Sequence, residues 1–118
     1  MIDLSPDEQR RLRLCRVFAL LAPIITASLS FGILRTAWLI GGPRMMTTPA
    51  GRSFWRIYEM GVMPGNVLLG SLAAFAAVLV LHPIPGRRRQ VAVACLVLSP
   101  VVHIACYLVW ERFWHTVV

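Results

Sequence analysis

Three long stretches of the sequence contain no Asp, Glu, Lys or Arg: residues 17–34, 60–86 and 91–110. They are 18, 27 and 20 residues long in a chain of 118. Because a helix rises about 1.5 Å per residue, roughly 20 apolar residues cross the hydrocarbon core of a bilayer. The sequence therefore predicts an all-α fold, an integral membrane bundle of three transmembrane helices at about 16–40, 57–82 and 90–111. We expect one membrane domain, 1–118, with an N-terminal amphipathic helical extension.

The composition agrees with a membrane protein and disfavours a nucleic-acid partner. Charged residues make up 14% of the chain, whereas a soluble domain usually has about a quarter. The net charge is +7, but the basic residues lie at the ends of the apolar stretches, where anionic headgroups attract them. The predicted partner of this charge is the lipid bilayer, and we expect no nucleic acid.

The N-terminal segment has the signals of a helix start. Ser5 followed by Pro6 and Glu8 predicts a capping box, so a helix should begin at about Ser5, wet for its first turns, and then enter the membrane. A cleavable signal peptide is the alternative. The uncharged stretch is long for a signal core, and no clean small-x-small cleavage site follows it.

Glycine and proline divide the rest of the chain. Pro23 should kink the first span, and Pro100 should interrupt the third. Residues 41–53, rich in Gly, Pro, Met and Thr, are expected to form a short loop on the membrane surface. Residues 87–89 are three consecutive arginines, and we expect them to form a tight basic hairpin between the second and third spans.

The charges and aromatic residues predict an orientation. With three crossings, seven arginines share one side with the N-terminus and five lie on the other. The positive-inside rule then places the N-terminus in the cytoplasm and the C-terminus on the opposite side of a plasma membrane or endoplasmic reticulum. The four tryptophans all fall at the opposite interface, which suggests an aromatic-lined mouth there; they are Trp38, Trp55, Trp110 and Trp114.

Strong metal, cofactor and catalytic motifs are absent from the sequence. The cysteines are Cys15, Cys95 and Cys106, without CxxC spacing, which disfavours a disulfide framework or a zinc site. Only one histidine, His103, lies deep in a span, so a haem with two histidine ligands is not expected. No P-loop, GxSxG, HExxH or dinucleotide fingerprint occurs. We expect neither a cofactor nor a metal.

His103 is the sharpest candidate for chemistry. Ser99, His103 and Tyr107 are spaced i, i+4 and i+8 on the third helix, so this stripe should face the bundle or a cavity rather than lipid. In one interpretation neutral His103 is a general base. In the other it is a neutral histidine that only locks helices together through a bond to the backbone or to Asn66.

Other polar residues also permit two interpretations. Asn66 could bind a substrate oxyanion, or it could link helices as part of a small-residue stripe. Arg35 could neutralise an anionic intermediate, or its side chain could reach the interface as an ordinary snorkelling arginine. Glu59 is expected to pair with Arg56 or Arg52. The small-residue stripe comprises Asn66, Gly70, Ala74 and Ala77.

Residues 55–64 read WRIYEMGVMP. The pattern W-x-x-Y-x-x-G, closely followed by Pro, resembles that of small integral membrane proteins in the anthrone oxygenase-like family. The resemblance implies a cofactor-independent monooxygenase, an oxidoreductase that converts an anthrone-like aromatic substrate to an anthraquinone. A base would remove the ring methylene proton, and the carbanion would pass an electron to dioxygen. The pattern itself carries Trp55, Tyr58, Gly61 and Pro64.

These residues define a candidate site. The catalytic candidates, inferred from the residues themselves, are His103 as the base, with Asn66 or Arg35 stabilising an oxyanion. The rings expected to stack on an aromatic substrate are Trp55, Tyr58, Tyr107 and Trp110.

Two function classes remain open from the sequence. The first is the membrane oxygenase. The second is a non-enzymatic membrane subunit or scaffold that packs by its small-residue stripe in a homo-oligomer or a larger complex. A small channel or transporter ranks last, because no intramembrane carboxylate is evident.

Overall fold

The computed structural model describes residues 3–117. Its helices are α1 (Pro6–Gly41), α2 (Arg44–Thr47), α3 (Pro49–Ile57), α4 (Met63–Leu81) and α5 (Pro85–Val117), with a π-helical segment, Tyr58–Val62, between α3 and α4. No strand occurs within the described range. The predicted all-α bundle is confirmed.

Three helical stretches are long and apolar enough to cross a membrane: Pro6–Gly41, Pro49–Leu81 and Pro85–Val117. Only 28%, 22% and 17% of their most apolar windows are buried inside the protein. Apolar surface exposed to water costs about 25 cal/mol per Å², so side chains such as Val97, 65% exposed, favour a hydrocarbon environment over water. The predicted spans 16–40 and 90–111 lie inside α1 and α5, and the predicted span 57–82 runs one residue past the end of α4.

Helix α1 begins where the capping signals place it. The Ser5 hydroxyl accepts a bond from the Glu8 backbone N–H at 3.3 Å and donates to Glu8 Oε1 at 3.0 Å. The Glu8 carboxylate therefore turns to the Ser5 hydroxyl, whereas a complete capping box would turn it to the Ser5 backbone N–H. The helix then continues through Pro23 to Gly41 without a break.

The segment expected to be a surface loop, 41–53, is folded. Helix α2 and the start of α3 fill it, and Thr48 caps α3 by accepting a bond from the Gly51 N–H at 3.1 Å. A Cβ atom at Gly51 would overlap the backbone of Met45, so the two short helices pack closely. The prediction was wrong because the Thr-Pro pair that starts α3 is a helix signal as well as a loop signal.

The π-helical segment lies where the resemblance motif lies. The Met63 N–H donates to the carbonyl of Tyr58, five residues back. Because Pro64 has no N–H, it cannot give the carbonyl of Met60 its regular bond, which is the local reason for the change of pitch. The wider turn accompanies a Tyr58 side chain that is 2% exposed.

Two arginines cap the end of α4. Arg11, from α1, donates to the carbonyl of Val80 at 3.0 Å, and Arg88, from α5, donates to the carbonyl of His82 at 2.8 and 3.2 Å. Cations at a helix C-terminus satisfy its free carbonyls and oppose its dipole. All three long helices are thus joined at this end of the bundle, which we call the basic end.

The arginines at 87–89 do not form the predicted hairpin. They lie in the first turns of α5, because Pro85 occupies a helix-start position where no N–H is needed. The turn consists of residues 82–84. Pro100 likewise lies inside a continuous α5 and does not interrupt it.

The small-residue stripe brings α4 against α1. A Cβ atom placed at Gly70 would lie 2.6 Å from Thr26 Oγ1 and 3.2 Å from Pro23 Cα, so the two backbones are in close contact there. Ala74, one turn further, is 1% exposed. Helices pack this closely in lipid only where small residues permit it. At Gly70 and Ala74 the stripe is therefore used within the chain.

Candidate functional site

Polar side chains line the inside of the bundle at successive levels. On α1 the buried residues recur at i, i+3, i+4 and i+7, which is one face of a helix. The polar members of this face meet polar groups from the π-helical segment, α4 and α5. We call this set the polar seam; it consists of Thr26, Ser30, Tyr58, Asn66, His103 and Tyr107.

The deepest level of the seam joins His103 to Thr26. His103 is 1% exposed, and its Nδ1 lies 3.2 Å from Thr26 Oγ1. Thr26 Oγ1 also donates to the carbonyl of Pro23 at 3.1 Å. When that hydroxyl proton is directed to the Pro23 carbonyl, the matching tautomer of His103 has the ring hydrogen on Nδ1, which donates to Thr26. The other nitrogen, Nε2, then presents a lone pair that is buried and has no partner among residues 3–117.

The next level gathers three predicted site residues around Ser30. Tyr58 Oη donates to the Ser30 carbonyl at 2.9 Å, and Asn66 Nδ2 donates to the Ser30 hydroxyl at 2.8 Å. Tyr107 Oη lies 3.5 Å from Tyr58 Oη. The structure therefore brings Asn66, Tyr58 and Tyr107 together. The sequence interpretation did not single out Ser30, although it is a polar residue one helical turn after Thr26 in an uncharged stretch.

The outermost level is an ion pair. Arg35 Nη2 donates to Glu111 Oε1 at 2.8 Å, linking α1 to α5. The guanidinium carbon lies 5.2 Å from the ring centre of Phe31 and 5.3 Å from that of Trp114, distances typical of cation–π contacts. Arg35 is thus paired and does not snorkel freely. Glu111 was overlooked, although it is the acidic residue that ends the third uncharged stretch.

Glu59 does not make its expected pair. Within the described part of the chain, Arg35–Glu111 is the single salt bridge, so neither Arg56 nor Arg52 is paired with Glu59. Glu59 is exposed, although it directly follows buried Tyr58 in the π-helical segment. Because Glu59, Arg56 and Arg52 are all exposed, each charge can be solvated without an ionic partner.

The predicted substrate-binding rings pack on the protein itself. Trp110 stacks on Phe31 with ring centres 5.9 Å apart and donates its Nε1 hydrogen to Ser28 Oγ at 2.9 Å. Trp55 lies 5.9 Å from Tyr58. The pocket at this end, about 700 Å³, has Phe54 as its aromatic lining residue, with no tryptophan. Trp55, Trp110 and Trp114 thus contact other aromatic rings of the chain and do not line this pocket.

The catalytic candidates lie at different levels. Each candidate can be placed by its position along α1. His103 bonds to Thr26 and Asn66 bonds to Ser30, whereas Arg35 is itself a residue of α1. At about 1.5 Å per residue, the first and last of these levels are roughly 14 Å apart along the helix. None of five pockets on the surface of residues 3–117 is lined by any of the three candidates. One reacting atom could not contact both His103 and Arg35 in this arrangement.

The cysteines are free and lie apart from the polar seam, except for Cys106. Cys106 Sγ is 3.9 Å from the carbonyl of Ile24, a weak contact between α5 and α1. Cys15 is buried, and Cys95 packs against it at the basic end. Among residues 3–117, no group of three or more His, Cys, Asp or Glu side chains could hold a metal ion.

The residues that carry the family resemblance occupy one structural unit. Trp55 lies in the last turn of α3, Tyr58 and Gly61 lie in the π-helical segment, and Pro64 lies in the first turn of α4. Of these, Tyr58 is the one that enters the polar seam. No protein-family model matches this chain, and searches of curated proteins and of solved structures return no match to it.

Proposed function

We propose that this protein is a non-enzymatic membrane subunit, a three-helix scaffold that acts by packing within the bilayer as part of a homo-oligomer or a larger complex. The observation that supports it is the closure of the polar seam. His103, Asn66 and Arg35 each bond to a residue of the chain itself, and His103 is 1% exposed. A catalytic base needs access to its substrate.

The polar contacts are sufficient for a structural role. Besides the bonds of Arg11, Arg88 and Cys106, six contacts join different helices or the π-helical segment through side chains. Interhelical hydrogen bonds in membranes average about 0.6 kcal/mol each, so six contribute on the order of 4 kcal/mol. That free energy fixes the register of three helices whose apolar surfaces gain little from packing against each other in lipid.

The proposal includes an orientation. Seven arginines lie at the basic end with the N-terminus, against five at the opposite end. The positive-inside rule favours a cytoplasmic basic end. Substituted cysteines at Arg13 and at His115 should be labelled by an impermeant thiol reagent from opposite sides of sealed membranes, in a background without Cys15, Cys95 and Cys106. Labelling of both from one side would refute three crossings.

The test of the scaffold combines size and chemistry. Membranes containing the protein are solubilised in mild detergent for native gel analysis, and oxygen uptake is measured with an anthrone such as emodin anthrone. We expect a species larger than one chain and an uptake equal to that of empty membranes. The proposal would be overturned if the wild type were a monomer that takes up oxygen with the anthrone, and if a folded His103→Leu variant did not.

The oxygenase remains the second candidate because of one observation. In the tautomer with hydrogen on Nδ1, the Nε2 lone pair of His103 is buried and has no partner among residues 3–117, which is the state of a base that awaits a proton donor. In this hypothesis Nε2 takes the ring methylene proton and the carbanion transfers an electron to dioxygen. One oxygen atom enters the anthrone as the new carbonyl and the other leaves as water. Because His103 is enclosed, α1 and α5 would have to separate to admit the substrate.

A matched pair of variants tests this candidate. His103→Leu removes the base, whereas Leu108→Ala changes an exposed side chain of the same helix. The oxygenase hypothesis requires uptake in the wild type and in Leu108→Ala, with loss in His103→Leu. Equal uptake in all three proteins and in empty membranes would exclude this substrate class.

A further inference from the structure

Two adjoining grooves lie between the long helices at the basic end. One, of about 330 Å³, runs between α1 and α5, and the other, of about 210 Å³, extends toward α4. Both are lined by Arg16, Ala19 and Cys95. We call the larger one the basic-end groove; the rest of its lining is Leu20, Pro23, Leu98, Ser99 and Val102.

The groove has one cation at its rim and apolar walls below. Arg16 is the last charged residue before the uncharged stretch 17–34, so its guanidinium lies at the depth of lipid headgroups. Arg11 and Arg88 already donate hydrogen bonds to carbonyl groups of the chain. Arg16 takes part in no salt bridge within residues 3–117. Its positive charge is therefore available to a ligand from outside the chain.

The dimensions fit part of a lipid. From Arg16 to Pro23 the groove follows α1 for seven residues, about 10 Å along the helix axis. Below Arg16 its walls are aliphatic except for Cys95 and Ser99. The Ser99 hydroxyl is buried and has no partner in the described residues. A turn of the Ser99 side chain toward the groove would present this hydroxyl as a donor to an ester carbonyl below the headgroup. A guanidinium binds a phosphate through two parallel hydrogen bonds, which a neutral groove cannot offer.

We propose that the basic-end groove is a binding site for one anionic phospholipid, with its phosphate on Arg16 and an acyl chain between α1 and α5. Charge complementarity selects this occupant, because basic pockets between membrane helices recognise anionic headgroups. The site requires only that the chain spans a bilayer. The lipid-site proposal applies whether the protein is a scaffold or an enzyme, so its test is independent of the function proposed above.

Native mass spectrometry of the purified protein tests the site. Phosphatidylglycerol and phosphatidylcholine with identical acyl chains are titrated into the detergent solution. We expect one phosphatidylglycerol to stay bound and to bind more tightly than phosphatidylcholine. Arg16→Gln should weaken the binding of phosphatidylglycerol about fivefold, which is the effect of one arginine near a membrane surface. Arg10→Gln, an equal charge change outside the groove, should leave it unchanged, and Arg16→Lys should be intermediate.

A second variant tests the acyl-chain part of the site without changing charge. Leu98→Trp places a large ring in the groove from an exposed position, so the fold should persist. It should reduce retention of both lipids. Any of three results would overturn the proposal. They are an equal loss of phosphatidylglycerol affinity in Arg10→Gln and Arg16→Gln, an equal affinity of the wild type for the two lipids, and full retention of both lipids by Leu98→Trp. Circular dichroism of each variant confirms that it is folded.

Discussion

The contact between α1 and α4 at Gly70 gives the sharpest quantitative prediction. In Gly70→Ala the new Cβ atom would lie 2.6 Å from Thr26 Oγ1 and 3.2 Å from Pro23 Cα, whereas ordinary contacts of this kind are 3.4–4 Å. Thr26 cannot turn away freely, because Oγ1 bonds to the Pro23 carbonyl and to His103. The helices must therefore move apart, or Thr26 must lose its bonds.

The expected cost follows from these two routes. Overpacking costs about 1–3 kcal/mol, and a lost hydrogen bond costs about 1 kcal/mol. The better helix propensity of alanine returns up to about 1 kcal/mol. We therefore expect Gly70→Ala to destabilise the protein by about 1–3 kcal/mol.

Gly65 provides the matched control on the same helix. A Cβ atom there meets nothing within 4 Å, so Gly65→Ala should be neutral or more stable than the wild type. The assay is reversible unfolding in mixed detergent micelles, followed by circular dichroism. If Gly70→Ala were as stable as Gly65→Ala, α1 and α4 would not be in close contact at this level, and the packing of Gly70 against Thr26 and Pro23 would be refuted.

Three further predictions concern other parts of the bundle. Arg35→Gln and Glu111→Gln should each destabilise by about 2 kcal/mol and should couple in a double-mutant cycle by about 1–2 kcal/mol; strict additivity in the same unfolding assay would contradict the ion pair. Tyr58→Phe should cost about 1 kcal/mol through its lost bond to the α1 backbone, and an unchanged unfolding midpoint would argue against that bond. Gly51→Ala should loosen α2 and α3, seen as faster hydrogen exchange over 41–57, whereas Gly32→Ala, on an open face of α1, should not.

The sequence predicts the fold well because the constraint is a simple one. Uncharged stretches of 18–27 residues can only be helices in hydrocarbon, where every backbone group must be bonded within its own segment. The face of α5 was also predictable. Ser99 and His103 recur at helical spacing, and both are buried, 4% and 1% exposed.

The partner of each polar side chain could not be predicted in the same way. Arg35 and Glu111 are 76 residues apart, and Thr26 and His103 are 77 apart. Which groups meet depends on the rotation and register of two helices, and a hydrophobicity pattern does not fix these to within one turn. For this reason the sequence gathered His103, Asn66 and Arg35 into one hypothetical site, whereas the structure places them at three depths.

The length of chain between Arg35 and Glu111 has a consequence for how the protein is made. Helix α1 precedes α5 in the chain, so Arg35 is made while its ionic partner is still untranslated. Until residue 111 leaves the ribosome, the guanidinium must be accommodated by water, lipid phosphate or another protein. The side chain of Arg35 can therefore reach the position that its ion pair fixes only after α5 has been made.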